Sequence, residues 1–185
     1  MRIISGRYKG QILLTPKGFI TRPTSNLVRE ALFNILEHTI LKCNESTFRG
    51  IYVLDAFAGS GALGFESLSR GANHVTFLET NSNALNIIHY NAKKLDVKHQ
   101  VSIKRRDATR PPTTLCSCQI VLIDPPYKSG LIESTLKTLQ FRGWITYSTI
   151  IVVELSISEN FIATGFIIIE ERKYGTTRLI FLRSN

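Results

Sequence analysis

Short apolar runs alternate with segments of helical periodicity from residue 50 onward, and this order constrains the fold more than any other feature. Strands are predicted at residues 51–55, 74–79, 101–104, 119–124 and 149–155, and helices at 62–70, 83–95 and 131–140. Two more β-rich runs, residues 166–172 and 178–182, are joined through Gly175 as a closing antiparallel hairpin. Parallel strands need crossover connections, whose helices cover both faces of the sheet. The sequence therefore predicts an α/β fold with a mixed, mostly parallel sheet.

The compositional break of the chain lies near residue 24. Before it, apolar pieces at residues 2–4 and 11–15 predict a small hairpin. After it, apolar residues recur at helical spacing up to Ile40, and Arg29 falls on the opposite, polar face. We therefore divide the chain into a basic N-terminal β-hairpin arm, residues 1–23, and a single domain, residues 24–185.

The chain is strongly basic. It carries 23 Lys and Arg against 14 Asp and Glu, a formal net charge of +9. Residues 1–29 contain basic side chains and no acidic one, and a second basic cluster lies between residues 93 and 110. A polyanionic partner is the commoner reason for such an excess, and solvated surface faces are the alternative. The arm cations are therefore predicted to contact phosphate: Arg2, Arg7, Lys9, Lys17 and Arg22.

The sequence gives little sign of metal binding or of a membrane. Its three cysteines and four histidines form neither a disulfide framework nor a zinc spacing, so we expect no metal site. No apolar run approaches the length of a membrane span, and the first residues open no signal peptide. We therefore expect a cytoplasmic protein, in a reducing compartment. We also expect the protein to be a monomer.

A glycine-rich loop joins the first predicted strand to the next helix. It runs Asp55-Ala56-Phe57-Ala58-Gly59-Ser60-Gly61, and with Gly64 it spells G-x-G-x-x-G, as in dinucleotide-binding folds. In those folds the first glycine follows the strand directly, so that pyrophosphate reaches the helix N-terminus. Here Asp55 ends the strand and would repel pyrophosphate. It suits a cationic ligand such as S-adenosylmethionine, which carries a sulfonium and an ammonium group and no phosphate. A turn that needs glycine only for its backbone conformation is the structural alternative.

Three more carboxylates are predicted at the ends of neighbouring strands, those of Glu79, Asp107 and Asp124. Ligands of parallel sheets bind at this edge, beside the point where the strand order reverses. An ionised carboxylate can accept both hydroxyls of a ribose, which is the predicted role of Glu79. Asp107, followed by Ala108, is placed to reach the adenine amino group. The predicted cofactor-binding residues are Asp55, Phe57, Gly59, Ser60, Gly61, Glu79, Asp107 and Ala108.

The run Asp124-Pro125-Pro126-Tyr127 follows an apolar strand and resembles the D/N/S-P-P-Y/F/W signature of the amino-methyltransferases. An exocyclic amino group is a poor nucleophile because its lone pair is delocalised into the ring. Hydrogen bonds to the Asp124 carboxylate and the Pro125 carbonyl would free that lone pair, and the prolines fix the acceptors in place. Tyr127 offers a face on which an extruded base can stack. Asp124, Pro125 and Tyr127 are therefore the predicted catalytic residues.

Further segments resemble the bacterial small-subunit ribosomal RNA guanine-N2 methyltransferases (RsmD type). They are R-I-I-S-G-R-Y-K-G at residues 2–10, R-P-T at 22–24, V-R-E-A-L-F-N at 28–34, residues 55–72 and the K-Y-G-T turn at 173–176. The resemblance covers nearly the whole chain and implies a Rossmann-like class I methyltransferase fold. It also implies methyl transfer from S-adenosylmethionine to N2 of one guanosine in 16S ribosomal RNA, within the small subunit, so the arm cations become predicted RNA contacts. The chain departs from the family at Asn81, where Asp is frequent, and residues 111–118 match no family segment.

Three other functions stay open at this point: a DNA adenine-N6 or cytosine-N4 methyltransferase, an NAD-dependent oxidoreductase, and a non-catalytic RNA-binding module. DNA enzymes usually add a sizeable target-recognition domain, and the chain has few residues outside the core fold. A cofactor-binding assay separates the oxidoreductase, and catalytic activity separates the binding module.

Overall fold

The computed structural model describes residues 1–15, 26–41, 47–127 and 129–185. The strands are β1 Tyr52–Asp55, β2 His74–Glu79, β3 Val101–Arg105, β4 Ile120–Ile123, β5 Ile150–Ser156, β6 Phe166–Tyr174 and β7 Thr177–Ser184. The α-helices are α1 Asn26–Ile35, α2 Ala62–Ser69, α3 Ser82–Lys94 and α4 Ile132–Phe141. The alternation predicted from the sequence is confirmed, with small shifts at the ends of the elements.

The seven strands found in these ranges form one sheet, in the order β3-β2-β1-β4-β5-β7-β6. Strands β1 to β5 are parallel, and β7 is antiparallel to both of its neighbours, β5 and β6. The predicted mixed, mostly parallel sheet and its closing hairpin are therefore confirmed. From β1, the sheet continues outward through β2 to β3 on one side. From β4, it continues through β5 on the other side. The switch point, beside which such sheets bind their ligands, therefore lies between β1 and β4.

Alternate residues of the central strands feed two apolar clusters, one on each face of the sheet. In β1, Val53 packs into one cluster and Leu54 into the other. Residues of α1, α2 and α3 complete the first cluster, and residues of α4 and of the segment before β4 complete the second. Because both faces are covered, a central strand such as β4 is apolar and buried along its whole length.

Residues 1–15 pack against the domain. A single antiparallel bridge joins Arg2 to Ile12, where two short strands were predicted, and Ile3 and Leu13 are buried in the core. The remainder of the predicted arm, with Lys17, Arg22 and the boundary at residues 23–24, lies outside the described residues.

The buried carboxylate of Glu66 on α2 holds this N-terminal segment in place. It accepts hydrogen bonds from the backbone N–H groups of Ile4 (2.8 Å) and Ser5 (3.0 Å). The same carboxylate accepts a hydrogen bond from the guanidinium of Arg70, so its charge is balanced inside the fold. The described part of the arm is therefore a fixed element of the domain surface.

The first helix differs from its prediction in two respects. Helical periodicity continues to Ile40, but α1 ends at Ile35 and the chain goes on as a π-helix, Leu36–Leu41. Arg29, predicted on the polar face, is only 1% exposed, and its guanidinium donates to the carbonyl of Arg2. That prediction was wrong because the N-terminal segment covers a face that an isolated helix would expose. Among the helices of the described ranges, none is both long and apolar enough to cross a membrane.

Candidate active site

Acidic side chains meet at the carboxyl edge of the parallel strands. Asp55 and Glu79 end β1 and β2, Asp124 follows β4 directly, and Asp107 lies two residues beyond β3. Because β1 lies between β2 and β4, Asp55 is flanked by the other two strand ends. The charges of Asp124 and Glu79 both act on its carboxyl group. The structure therefore brings Asp55, Glu79 and Asp124 together beside the switch point, and places Asp107 at the same edge beyond β3.

Asp55 is buried at the centre of this edge, with 2% of its surface exposed. Its Oδ2 accepts a hydrogen bond from the backbone N–H of Gly64 (3.0 Å), which fixes the start of α2 against the end of β1. Burial raises the pKa of Asp55 to about 7, and the charges of Asp124 and Glu79 act in the same direction against the hydrogen bond from Gly64. Asp55 can therefore change its charge near neutral pH.

The three glycines of the loop serve different purposes. Gly59 (φ +53°) and Gly61 (φ +78°) adopt the left-handed conformation that favours glycine. A Cβ on Gly64 would lie 2.2 Å from the ring of Phe77, so this glycine lets α2 approach β2 closely. An ideal Cβ on Gly59 would meet no heavy atom within 4 Å, so the loop is open on that side. The packing role of Gly64 was not predicted from the sequence.

Glu79 ties the glycine loop to the end of β2. Its Oε2 accepts a hydrogen bond from the backbone N–H of Gly59 (2.8 Å). Its Oε1 accepts hydrogen bonds from the N–H groups of Thr80 (2.7 Å) and Asn81 (2.8 Å). A carboxylate oxygen has two lone pairs, so Oε2 keeps acceptor capacity for a ligand hydroxyl. The Asn81 side chain caps α3, which gives the departure from the family at this position a structural role.

The remaining residues of the predicted cofactor site lie in the glycine loop and in the loop after β3. Phe57 and Ser60 are partly exposed in the glycine loop, Asp107 is exposed, and Ala108 is buried beneath it. Asp107 Oδ1 accepts hydrogen bonds from both the N–H and the hydroxyl of Thr109, each at 2.8 Å. These contacts orient the Asp107 carboxylate at the edge of the sheet, beyond β3.

The run Asp124-Pro125-Pro126-Tyr127 forms the turn after β4. Asp124 is partly exposed and Pro125 is buried, whereas 38% of Tyr127 is exposed. The Tyr127 hydroxyl lies 3.2 Å from Thr177 Oγ1 and donates to Glu154 Oε1 at 3.4 Å. Burial of this hydroxyl raises the pKa of Tyr127. The side chain is therefore held at its polar end while part of its ring stays accessible.

Sequence reasoning missed Glu154 and Thr177. Both are buried and lie on the neighbouring antiparallel strands β5 and β7. They are distant from the tetrapeptide in sequence, and they carry no motif of their own. Only the strand order β4-β5-β7, which is visible in the fold, brings them beside Tyr127.

The predicted phosphate contacts of the arm lie on the surface. Arg2, Arg7 and Lys9 are exposed and form no ion pair within the described residues. The backbone N–H of Arg7 donates to the carbonyl of Ser69 at 2.7 Å. Ser69 is the last residue of α2, so this turn lies at the end of the helix away from the glycine loop.

The cysteines and histidines form no metal-binding group in the described ranges, where no cluster of three metal-ligating side chains occurs. Cys116 is exposed and Cys118 is buried, and burial raises the pKa of Cys118 to about 12, so that its thiol stays protonated. Cys43 lies outside the described residues.

Strand order, the antiparallel β7 and the glycine loop after β1 together define the class I methyltransferase fold. The solved structure of yhhF from Escherichia coli, provisionally described as a methyltransferase, superposes with a TM-score of 0.82 at 29% sequence identity. The match covers 100% of this chain and 98% of that one. The predicted fold class is therefore confirmed.

The chain belongs to the family described as "Conserved hypothetical protein 95", whose model matches residues 1–183. The ribosomal RNA small subunit methyltransferase D of Escherichia coli K12 is 34% identical, over 85% of this chain and 75% of the relative. An uncharacterised methylase of Rickettsia prowazekii is 29% identical, over 99% of this chain and 97% of the relative. The family resemblance found in the sequence is therefore confirmed.

Proposed function

We propose that this protein transfers a methyl group from S-adenosylmethionine to the exocyclic N2 of one guanosine in small-subunit (16S) ribosomal RNA. The observation that most supports this proposal is the position of two motifs. The glycine-rich loop, which begins with Asp55, follows β1, and the tetrapeptide of an amino-methyltransferase follows β4. These two strands are adjacent in the sheet. The name of the Escherichia coli relative supports ribosomal RNA of the small subunit as the substrate. The guanine N2 position is the finer part of the proposal and follows from the family resemblance.

The side chains at the edge fit this cofactor chemically. Asp55, Glu79 and Asp107 are acceptors that suit an ammonium group, a ribose diol and an adenine amino group. Gly59 leaves space for a ligand to approach the backbone. We assign the cofactor to Asp55, Phe57, Gly59, Ser60, Gly61, Glu79, Asp107 and Ala108. When bound, S-adenosylmethionine supplies a methyl group activated by its positive sulfonium.

The tetrapeptide prepares the amino group for reaction. The Asp124 carboxylate and the Pro125 carbonyl accept hydrogen bonds from the target amino group, which localises its lone pair on nitrogen. These hydrogen bonds strengthen as positive charge builds on that nitrogen, so they stabilise the transition state more than the ground state. The proline pair limits backbone movement, which keeps both acceptors in place. Attack needs no strong base beforehand, because orientation supplies most of the advantage. The nitrogen gains the methyl group and then gives up one proton, to the Asp124 carboxylate or through it to solvent.

Tyr127 holds the base that is extruded toward this turn. Its hydroxyl is fixed between Thr177 and Glu154, so the ring is already oriented before RNA binds. Stacking of a base on such a ring contributes about 1–3 kcal/mol. Because stacking acts on the bound ground state as well, Tyr127 contributes to RNA affinity and not only to the rate.

The remaining parts of the proposal concern partners and location. Exposed Arg2, Arg7 and Lys9 contact RNA phosphates, together with Lys17 and Arg22, which lie outside the described residues. The protein acts as a monomer on the small ribosomal subunit in the cytoplasm, without a metal ion. The arm, residues 1–23, and the domain, residues 24–185, bind the same RNA.

Mass-spectrometric mapping of modified nucleosides in small-subunit RNA tests the proposed function. RNA from a strain lacking this gene should lose one N2-methylguanosine and should regain it when the wild-type gene is restored. Complementation with an Asp124→Ala variant should not restore it, whereas the matched surface variant Glu133→Ala should. Loss of N6-methyladenosine or N4-methylcytidine instead would contradict the guanine assignment. An unchanged nucleoside profile would contradict ribosomal RNA as the substrate.

A further inference from the structure

A recess lined by cations lies beside the edge strand β3. Its volume is about 320 Å³, and its lining residues are Lys104, Arg105, Arg106 and Pro112. The three cations are exposed, and none of them forms an ion pair with any part of the chain that the structure describes. The recess is therefore lined by exposed cations that no carboxylate of the described residues pairs with directly.

The recess adjoins the candidate active site. Arg105 is the register partner of Glu79 across the β2–β3 pair. The backbone N–H of Arg106 donates to the Glu79 carbonyl at 3.1 Å, and Asp107 is the next residue along the chain. The cations therefore lie at the same edge of the sheet as the proposed cofactor contacts.

The nearby carboxylates are held by other partners. Glu79 accepts hydrogen bonds from backbone N–H groups, including that of Gly59, and Asp107 accepts hydrogen bonds from Thr109. Like charges close together in sequence repel one another, and binding of an anion between them reduces that repulsion.

One wall of the recess is fixed by the rest of the fold. The indole N–H of Trp144, which is buried, donates to the Pro112 carbonyl at 2.7 Å. Arg142 Nη1 donates to Thr113 Oγ1 at 3.2 Å, which holds the following residue. The ring of Pro112 also fixes its own φ. The Pro112 side of the recess is therefore held in place by contacts within the fold.

The charge of the recess disfavours the cofactor as its occupant. S-adenosylmethionine carries a sulfonium and an ammonium group against a single carboxylate, so its net charge is positive like that of the recess. A phosphodiester is an anion, and guanidinium groups bind phosphate oxygens in a bidentate geometry. The volume is at the lower end of the range for small-ligand sites, which suits a phosphate with part of its sugar.

We infer that this recess binds backbone phosphates of the RNA strand beside the target nucleotide. The inference rests on the proposed function, because it takes the substrate to be RNA that reaches the carboxyl edge of the sheet. The inference also assigns a role to residues 111–118, which match no family segment, because Pro112 in this segment lines the recess. The described arm cations Arg7 and Lys9 lie near the opposite end of α2, so the two basic surfaces contact different parts of the RNA.

The test compares two triple variants that each remove three positive charges. One is Lys104→Ala/Arg105→Ala/Arg106→Ala. The control is Lys98→Ala/Lys137→Ala/Arg183→Ala, whose exposed side chains lie away from the carboxyl edge. Dissociation constants for a short fluorescein-labelled single-stranded RNA and for unmodified small ribosomal subunits are measured against salt concentration. Calorimetry with S-adenosylhomocysteine checks the cofactor site of each variant.

We expect the slope of log affinity against log salt to fall by about 2 in the recess variant, because each phosphate contact to a single strand contributes about 0.7. The control should keep a steeper slope than the recess variant, and all proteins should bind S-adenosylhomocysteine equally. Equal slopes in both variants would overturn the inference. Loss of S-adenosylhomocysteine binding with an unchanged RNA slope would also overturn it, because the recess would then serve the cofactor.

Methyl transfer to the small subunits separates this inference from the proposed function. If the wild type and both variants transfer methyl groups with the same RNA affinity, the function stands and the recess has no role in it. If the wild type transfers no methyl group but the recess variant still shows the reduced slope, the recess binds RNA and the proposed function is wrong.

Discussion

The buried carboxyl group of Asp55 makes cofactor affinity depend on pH. Burial, with the charges of Asp124 and Glu79, raises its pKa to about 7, so the ligand-free protein holds a proton there below that pH. The positive groups of S-adenosylmethionine stabilise the ionised form, and binding therefore releases this proton. We expect affinity to rise as the pH is raised through about 7 and to become constant at higher pH.

The size of the effect follows from the pKa. At pH 8 most of the Asp55 carboxyl groups are ionised, and at pH 6 about one in ten, so the dissociation constant should be about tenfold larger at pH 6. This corresponds to ~1.4 kcal/mol, the value of one pKa unit. Asp55→Asn is the matched variant, because its amide oxygen can still accept the hydrogen bond from Gly64 but cannot ionise. It should bind more weakly at pH 8 and lose the pH dependence.

Calorimetric titration between pH 6 and pH 8, in two buffers of different ionisation enthalpy, measures both the affinity and the protons released. A stability measurement supplies a second check on the same carboxyl group. Because its folded pKa lies above the ordinary carboxyl value of 3.8, its contribution to stability is full below about pH 4 and is lost as the pH rises through about 7. Asp55→Asn should therefore stabilise the ligand-free protein at pH 8. A pH-independent affinity without proton release would refute the placement of Asp55 beside the cofactor charges.

Three further substitutions test other parts of the site. Glu79→Ala should weaken S-adenosylmethionine binding by roughly 1.5–3 kcal/mol in calorimetry, the range for hydrogen bonds to a charged group; tighter binding of NADH than of S-adenosylhomocysteine by the wild type would favour an oxidoreductase. Gly64→Ala should lower the free energy of unfolding in urea by about 1–3 kcal/mol, because its Cβ would overlap the ring of Phe77; an unchanged midpoint would contradict this packing. Thr177→Val should raise the KM for RNA more than it lowers kcat, because it removes the shorter of the two hydrogen bonds that hold the Tyr127 hydroxyl; an equal effect in a Tyr127→Phe background would show that the substitution acts elsewhere.

Much of the fold could be predicted from the sequence because its signals are local. The central buried strands are mostly apolar, and the acids at the ends of β1 and β2 and directly after β4 are visible as breaks in those runs. Parallel strands bring their carboxyl ends to one edge, so the meeting of Asp55, Glu79 and Asp124 follows from topology alone. A glycine loop and a proline pair are likewise defined by neighbours in sequence.

Contacts between distant segments could not be predicted in the same way. The carboxylate of Glu66 holds Ile4 and Ser5, which are about sixty residues away in sequence, and no motif marks it. Arg29 is buried where the N-terminal segment packs on α1, and its guanidinium donates to the carbonyl of Arg2. Thr177 reaches Tyr127 through the antiparallel insertion of β7 beside β5, and local periodicity cannot specify that neighbour. These contacts depend on tertiary packing.

The central claim is that Asp124 activates an exocyclic amino group of guanine in small-subunit RNA. Single-turnover methyl transfer to small subunits that lack the modification, followed by nucleoside digestion, tests it most directly. The wild type and the surface control Glu133→Ala should form N2-methylguanosine at the same rate. Asp124→Ala should be slower by about a hundred- to a thousandfold, or ~2.7–4 kcal/mol, while S-adenosylhomocysteine affinity stays nearly unchanged. A wild-type rate for Asp124→Ala would remove the tetrapeptide from the mechanism, and a product other than N2-methylguanosine would contradict the guanine assignment.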